Sequence, residues 1–167
     1  MNVPLSTLDE VQAFLDERTD VLISGPCSDA MIDAAQAALG AAFPPTFRTY
    51  LARWGAINVT GLSLEYLGVL AYLGILAPEA DDPYRLPYPH VVSHALKAWS
   101  RGLPRRYLIV RDESGHRYVC LDSQRRRSDG EWLVTRWDPI DRVVEDEPGL
   151  DFAELMLDEL RERQEFL

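Results

Sequence analysis

The stretch Tyr107–Trp137, YLIVRDESGHRYVCLDSQRRRSDGEWLVTRW, reads as three consecutive β-strands: Tyr107–Arg111, Arg117–Asp122 and Trp132–Trp137. Asp112-Glu113-Ser114-Gly115 makes the first turn and Ser123–Gly130 a longer second loop. Connections this short join antiparallel neighbours, because a parallel crossover needs about a dozen residues or more. Tyr118 and Cys120 alternate with Val119 and Leu121, and Leu133, Thr135 and Trp137 alternate with Trp132, Val134 and Arg136. Large apolar side chains on both faces predict a sheet covered on one side and partly on the other.

Helices flank this sheet. Ser6 or Thr7 caps a first one, with Leu8, Val11 and Leu15 on its inner face. Ser24-Gly25-Pro26 then breaks the pattern. Ser28 caps a second helix carrying Met31, Ile32, Ala35, Ala38 and Leu39, with Gly40 placed for a left-handed C-terminal cap. Pro45 suits the first position of a third helix, where Phe47, Tyr50, Leu51 and Trp54 share a face before Gly55.

The run Leu62–Leu76 allows one or two buried strands, or a strand and an irregular turn; strand is the expectation. Pro78–Pro89 reads as a surface loop. A fourth helix spans about His90–Arg101, with Val92, Ala95, Leu96 and Trp99 inward. Val143-Val144 reads as a short edge strand, and Asp151 with Glu154 forms a capping box opening a last helix with Phe152, Leu155, Met156 and Leu160 inside. The fold class is α+β, a mostly antiparallel sheet with helices packed on it, in one domain over residues 1–167.

At 167 residues the chain is long enough to bury about 70% of its unfolded surface without a covalent staple. Cys27 and Cys120 are too few for a disulfide scaffold. The start Met1-Asn2-Val3-Pro4 lacks the pattern of a signal peptide, and Leu62–Ala77, interrupted by Glu65, falls short of a membrane span, so the expected location is the cytoplasm. A net charge of −10 opposes general nucleic-acid affinity and suits a basic protein partner. The charge is uneven: residues 101–127 carry +5 and residues 138–167 carry −8, and mutual attraction within the fold is the simpler account.

No constellation points to reaction chemistry. His90 and His94 stand four apart on a helix but lack the following Glu of a zinc hydrolase, so two solvated histidines are expected. Cys120 suits a buried small hydrophobe; Cys27 precedes a helix N-terminus, yet has no identifiable histidine partner. Arg125-Arg126-Arg127 reads as a solvated loop, and neither phosphate-loop motif occurs.

Met31–Gly40, Phe43-Pro44-Pro45-Thr46-Phe47-Arg48-Thr49-Tyr50-Leu51 and Trp54-Gly55 resemble the N-terminal signature of the SUKH superfamily. Tyr107–Val110, the Gly115 turn, Tyr118–Asp122, Val134–Asp138 and Phe152–Leu155 are similar to its strand and closing-helix segments. The resemblance covers roughly residues 28–160, leaving 1–27 as an N-terminal helical extension. Ala56 stands where many members have a second Gly, and Gly115-His116 replaces a Gly-Asp or Gly-Asn pair.

The resemblance implies a non-enzymatic domain without cofactor or metal. Bacterial members are typically immunity proteins that neutralise a toxin; eukaryotic relatives are interaction or regulatory modules. The leading expectation is therefore an immunity protein masking the active or substrate-binding surface of a basic, nuclease-like toxin. The alternative is an intracellular scaffold. For an acidic blocker, the expected partner-binding residues are Asp138, Asp141, Glu145, Asp146 and Glu147, then Asp81, Asp82 and Tyr84, with Tyr84 or Tyr88 as a buried anchor.

Overall fold

A computed structural model describes residues 6–66, 91–112, 117–146 and 149–165. Five helices occur there: α1 Thr7–Asp16, α2 Asp29–Leu39, α3 Pro45–Arg53, α4 Val91–Ser100 and α5 Phe152–Glu165. The strands are β1 Val21–Ile23, β2 Ile57–Val59, β3 Leu64–Tyr66, β4 Tyr107–Asp112, β5 Tyr118–Arg126, β6 Trp132–Asp138 and β7 Val143–Asp146. They follow one another in sequence order across one antiparallel sheet. The α+β reading therefore holds.

Five consecutive β4 residues, Tyr107 to Arg111, are buried. Successive strand side chains point to opposite faces, so both faces are covered at the sheet centre. Helix α4 packs on β4 and α5 on β6, while α1 and α3 pack on α5. Phe152 links these layers through ring contacts with Phe47, Tyr50 and Tyr66.

Local chemistry sets the helix ends. Ser6 and Ser28 accept from the backbone N–H groups of Asp9 and Met31, and Gly40 closes α2 at φ +66°. Pro44 offers no side-chain cap to α3. Glu131 supplies one across the fold: its Oε1 accepts from the Thr46 N–H at 2.8 Å and from the Thr46 hydroxyl. In α5 the Asp151 carboxylate accepts from the Glu154 N–H, and Glu154 Oε1 accepts from the Asp151 N–H, completing the capping box. Gly55, at φ +77°, admits no side chain, because a Cβ there would lie 2.1 Å from the Gly25 carbonyl oxygen. That close approach explains why a glycine follows Trp54.

Several expectations change. Strand β5 continues through Arg126, which pairs with Trp132 after a register shift, so only Arg127–Gly130 remains as the tip of the expected loop. Strands β1 and β2 are additional; three-residue strands carry too little periodicity to be read. Of the Leu62–Leu76 run, Leu62 closes a 3-10 turn (Thr60–Leu62) and Leu64–Tyr66 forms β3; the remainder lies outside the described residues, as does the expected Pro78–Pro89 loop. In α4 the buried stripe is Val91, Ala95 and Ala98, and Leu96 is exposed. The stripe's spacing of four and three residues turns Leu96 away from the sheet. The edge strand expected at Val143-Val144 runs on to Asp146.

Candidate functional site: the groove beside the β6–β7 turn

Asp138 ends β6, and its Oδ1 accepts from the Ile140 N–H at 2.8 Å and the Asp141 N–H at 3.0 Å. This ties Pro139–Arg142 into a tight connection, since Asp138 pairs with Val143 on the returning strand. Arg142 completes it in the left-handed region at φ +54°. The turn leaves Ile140 76% exposed, the most exposed large apolar side chain of the described core and surface.

Beneath Ile140 lies a groove of about 340 Å³. Its apolar walls come from Ala98 at the end of α4, Leu103, Tyr118 at the start of β5 and Trp137 at the end of β6. Trp137 is held against Tyr107 with ring centroids 6.2 Å apart, and the Trp99 indole N–H donates to the Tyr107 carbonyl at 2.9 Å. Arg101 and Arg142 stand at the rim. The volume lies at the low end for small-molecule pockets and suits one inserted side chain. Chemically the site can bury an apolar group and engage charge of either sign; buried anchors of this kind dominate interface energies.

The expected partner-binding acids divide. Asp138 and Asp141 sit in the turn beside the groove, Asp138 half-buried and Asp141 exposed. Glu145 and Asp146 lie on edge strand β7, in register with Arg136 and Thr135 of β6. Glu147, Asp81, Asp82, Tyr84 and Tyr88 lie outside the described residues. Ile140, Arg101 and Arg142 were missing from the expected set. Neither the exposure of Ile140 nor the lack of partners for the two arginines is legible in the sequence, because both depend on the fold.

Other candidates become structural. Arg127 is no solvated loop residue: its guanidinium donates to Asp151 at 2.7 Å, Glu154 at 2.6 Å and Asp129 at 2.8 Å. Cys27 and Cys120 are buried, and burial pushes the Cys120 thiol well above its ordinary range, which suppresses thiolate. His94 is half-buried, and His90 lies outside the described residues. Among the described residues no group of three His, Cys, Asp or Glu side chains could hold a metal ion, and no helix is long and apolar enough to cross a membrane.

The result is an α+β domain with a meandering antiparallel sheet and an open groove at one end. The model of the SUKH_5 family, described as SMI1-KNR4 cell-wall, matches residues 7–161, and the chain belongs to that family. The match takes in α1, which packs on α5. Comparison with curated proteins gives no match.

Proposed function

We propose that this protein is an immunity protein: a non-enzymatic binder that neutralises a cognate bacterial toxin by masking its active or substrate-binding surface. Family membership supports the class, because SUKH domains include immunity proteins. The observation that carries the reading is Ile140, held out by a capped turn beside an aromatic-floored groove. An apolar side chain so exposed gains little for the isolated fold, and burial against a partner would recover its hydrophobic contribution. The net charge of −10 favours rapid, salt-dependent association with a basic, nuclease-like toxin in the cytoplasm.

The test is co-expression with the toxin encoded beside this protein's gene. Wild type should restore growth and co-purify with the toxin, whereas Ile140→Asp should lose both at an unchanged melting temperature. Reversing Glu145, Asp146 and Glu147 to Lys should slow association without altering the melt. A neighbouring gene product that is neither toxic nor retained by wild type would overturn the reading.

A further inference from the structure

Arginine is this protein's main cation: the chain holds 17 Lys and Arg, of which only Lys97 is a lysine. Nearly every arginine in the described residues is engaged. Arg18, Arg48, Arg53, Arg106, Arg111, Arg127 and Arg161 are in ion pairs; Arg163 donates to a carbonyl; Arg105 and Arg126 lie over indole rings; Arg117, Arg125 and Arg136 also interact. Among the described arginines only Arg101 and Arg142 have no such partner, and both line the same groove. The Arg142 guanidinium lies alongside Gly102, where a Cβ would sit 3.9 Å from its Cζ.

Two exposed guanidinium groups thus stand together at one groove without a carboxylate from the chain's 27 acidic residues. We infer that the groove is a docking site for a protein segment presenting a carboxylate beside a large apolar side chain. The apolar group enters between Trp137, Tyr118 and Ile140, and the carboxylate is held by Arg101 and Arg142. Guanidinium forks suit carboxylates because their parallel N–H donors match the two oxygens. A polyphosphate strand fits poorly, since Asp138 and Asp141 border the site and the whole chain repels polyanions. Exposed Ile140 adds apolar area that a bare anion cannot use, which favours a protein segment.

This inference rests on the protein acting as a binder and adds the partner's local chemistry: an acidic, apolar-flanked spot within an otherwise basic surface. The probes are two capped peptides, acetyl-Gly-Phe-Glu-Leu-Gly-amide and its lysine counterpart, and inorganic phosphate. Each is titrated to millimolar concentration into the full-length ¹⁵N-labelled protein. The glutamyl peptide should shift the amides of Arg101, Gly102, Ile140 and Arg142 and the Trp137 indole. Affinity should fall about tenfold in Arg101→Gln/Arg142→Gln, the order expected when a charge-assisted contact is lost. Equal shifts from the lysine peptide, equal shifts from phosphate, or no shift at all would overturn the inference. Toxin protection is read separately, so wild-type rescue with a silent groove would fault this inference while sparing the function proposed above.

Discussion

Two arginine-bearing regions of this molecule use the same side chain in opposite ways. Between the sheet and α5, Arg111 is buried and donates through Nε to Glu159 at 3.1 Å, with a second contact from its terminal nitrogen. The Tyr66 hydroxyl donates to the same carboxylate at 3.2 Å, and the Tyr50 hydroxyl donates to the Tyr66 carbonyl. At the groove, Arg101 and Arg142 face solvent without a partner. A buried cation must be paired because desolvation otherwise costs too much; an exposed one is free to wait for a ligand. Interior arginines report on the fold, and those left over at the rim are the ones proposed to meet a ligand.

The interior region should break hardest. Burial pushes the Glu159 carboxyl above its ordinary range, against the pull of Arg111. Arg111→Met would leave that carboxylate buried without its cation and should cost about 3–5 kcal/mol in urea unfolding. Arg111→Met/Glu159→Leu should recover most of the loss, since an apolar pair of similar volume removes the desolvation penalty. A single-variant loss below about 1 kcal/mol, the scale of a surface pair, would erase the contrast between the two regions.

Arg127 lies between these extremes. Its guanidinium, one-third exposed, joins the β5–β6 turn to the start of α5 through Asp129, Asp151 and Glu154. Arg127→Gln should cost about 2 kcal/mol, because Asp151 stays buried without its cation.

The pH dependence has a definite sign. The Arg127 hydrogen bond, then the Glu131 N–H, holds the Asp129 carboxyl below its ordinary range. Burial pushes Glu154 up, but the hydrogen bonds from Arg127 and the Asp151 N–H outweigh it and hold it low. Stability from lowered carboxyls is present above their unfolded pKa and is lost as pH falls through the folded values. Asp151 and Glu159, raised by burial, act the other way: their share is full below the ordinary carboxyl range and fades as pH rises. The gap between wild type and Arg127→Gln should therefore narrow from about pH 6 to about pH 3 in denaturant melts. A gap that stayed constant across that range would assign the clasp's strength to packing.

What could be read from the sequence was what short-range chemistry controls. Ser6, Ser28 and Gly40 cap helices, and the Asp151–Glu154 box opens α5, because each motif is complete within a few residues. The central strands were legible from alternation, while β1 and β2 exist only through their pairing with each other and with β3. The groove joins α4, the residues after it, β5 and the β6–β7 turn, so no local pattern announces it. Asp138 and Asp141, expected from their charge to meet a partner, lie in the turn beside the groove. Arg101 and Arg142 could not be told from Arg111 or Arg127, because whether an arginine has a carboxylate to meet is decided only by tertiary structure.

The smallest effect on stability should come where the effect on binding is largest. Arg101→Gln and Ile140→Ser touch nothing that holds the fold and should stay within about 0.5 kcal/mol of wild type. Arg142 allows a sharper separation. It occupies a left-handed conformation that costs a side-chain-bearing residue about 1 kcal/mol and a glycine nearly nothing. Set against the entropy a glycine loses on folding, Arg142→Gly should still raise stability by roughly 0.5 kcal/mol. The same change removes a guanidinium from the groove, so affinity for the glutamyl peptide should fall as the melting temperature rises. Two quantities moving in opposite directions from one substitution cannot be explained by damage to the fold. A loss of stability in Arg142→Gly would instead place this arginine with Arg111 and Arg127 as part of the framework.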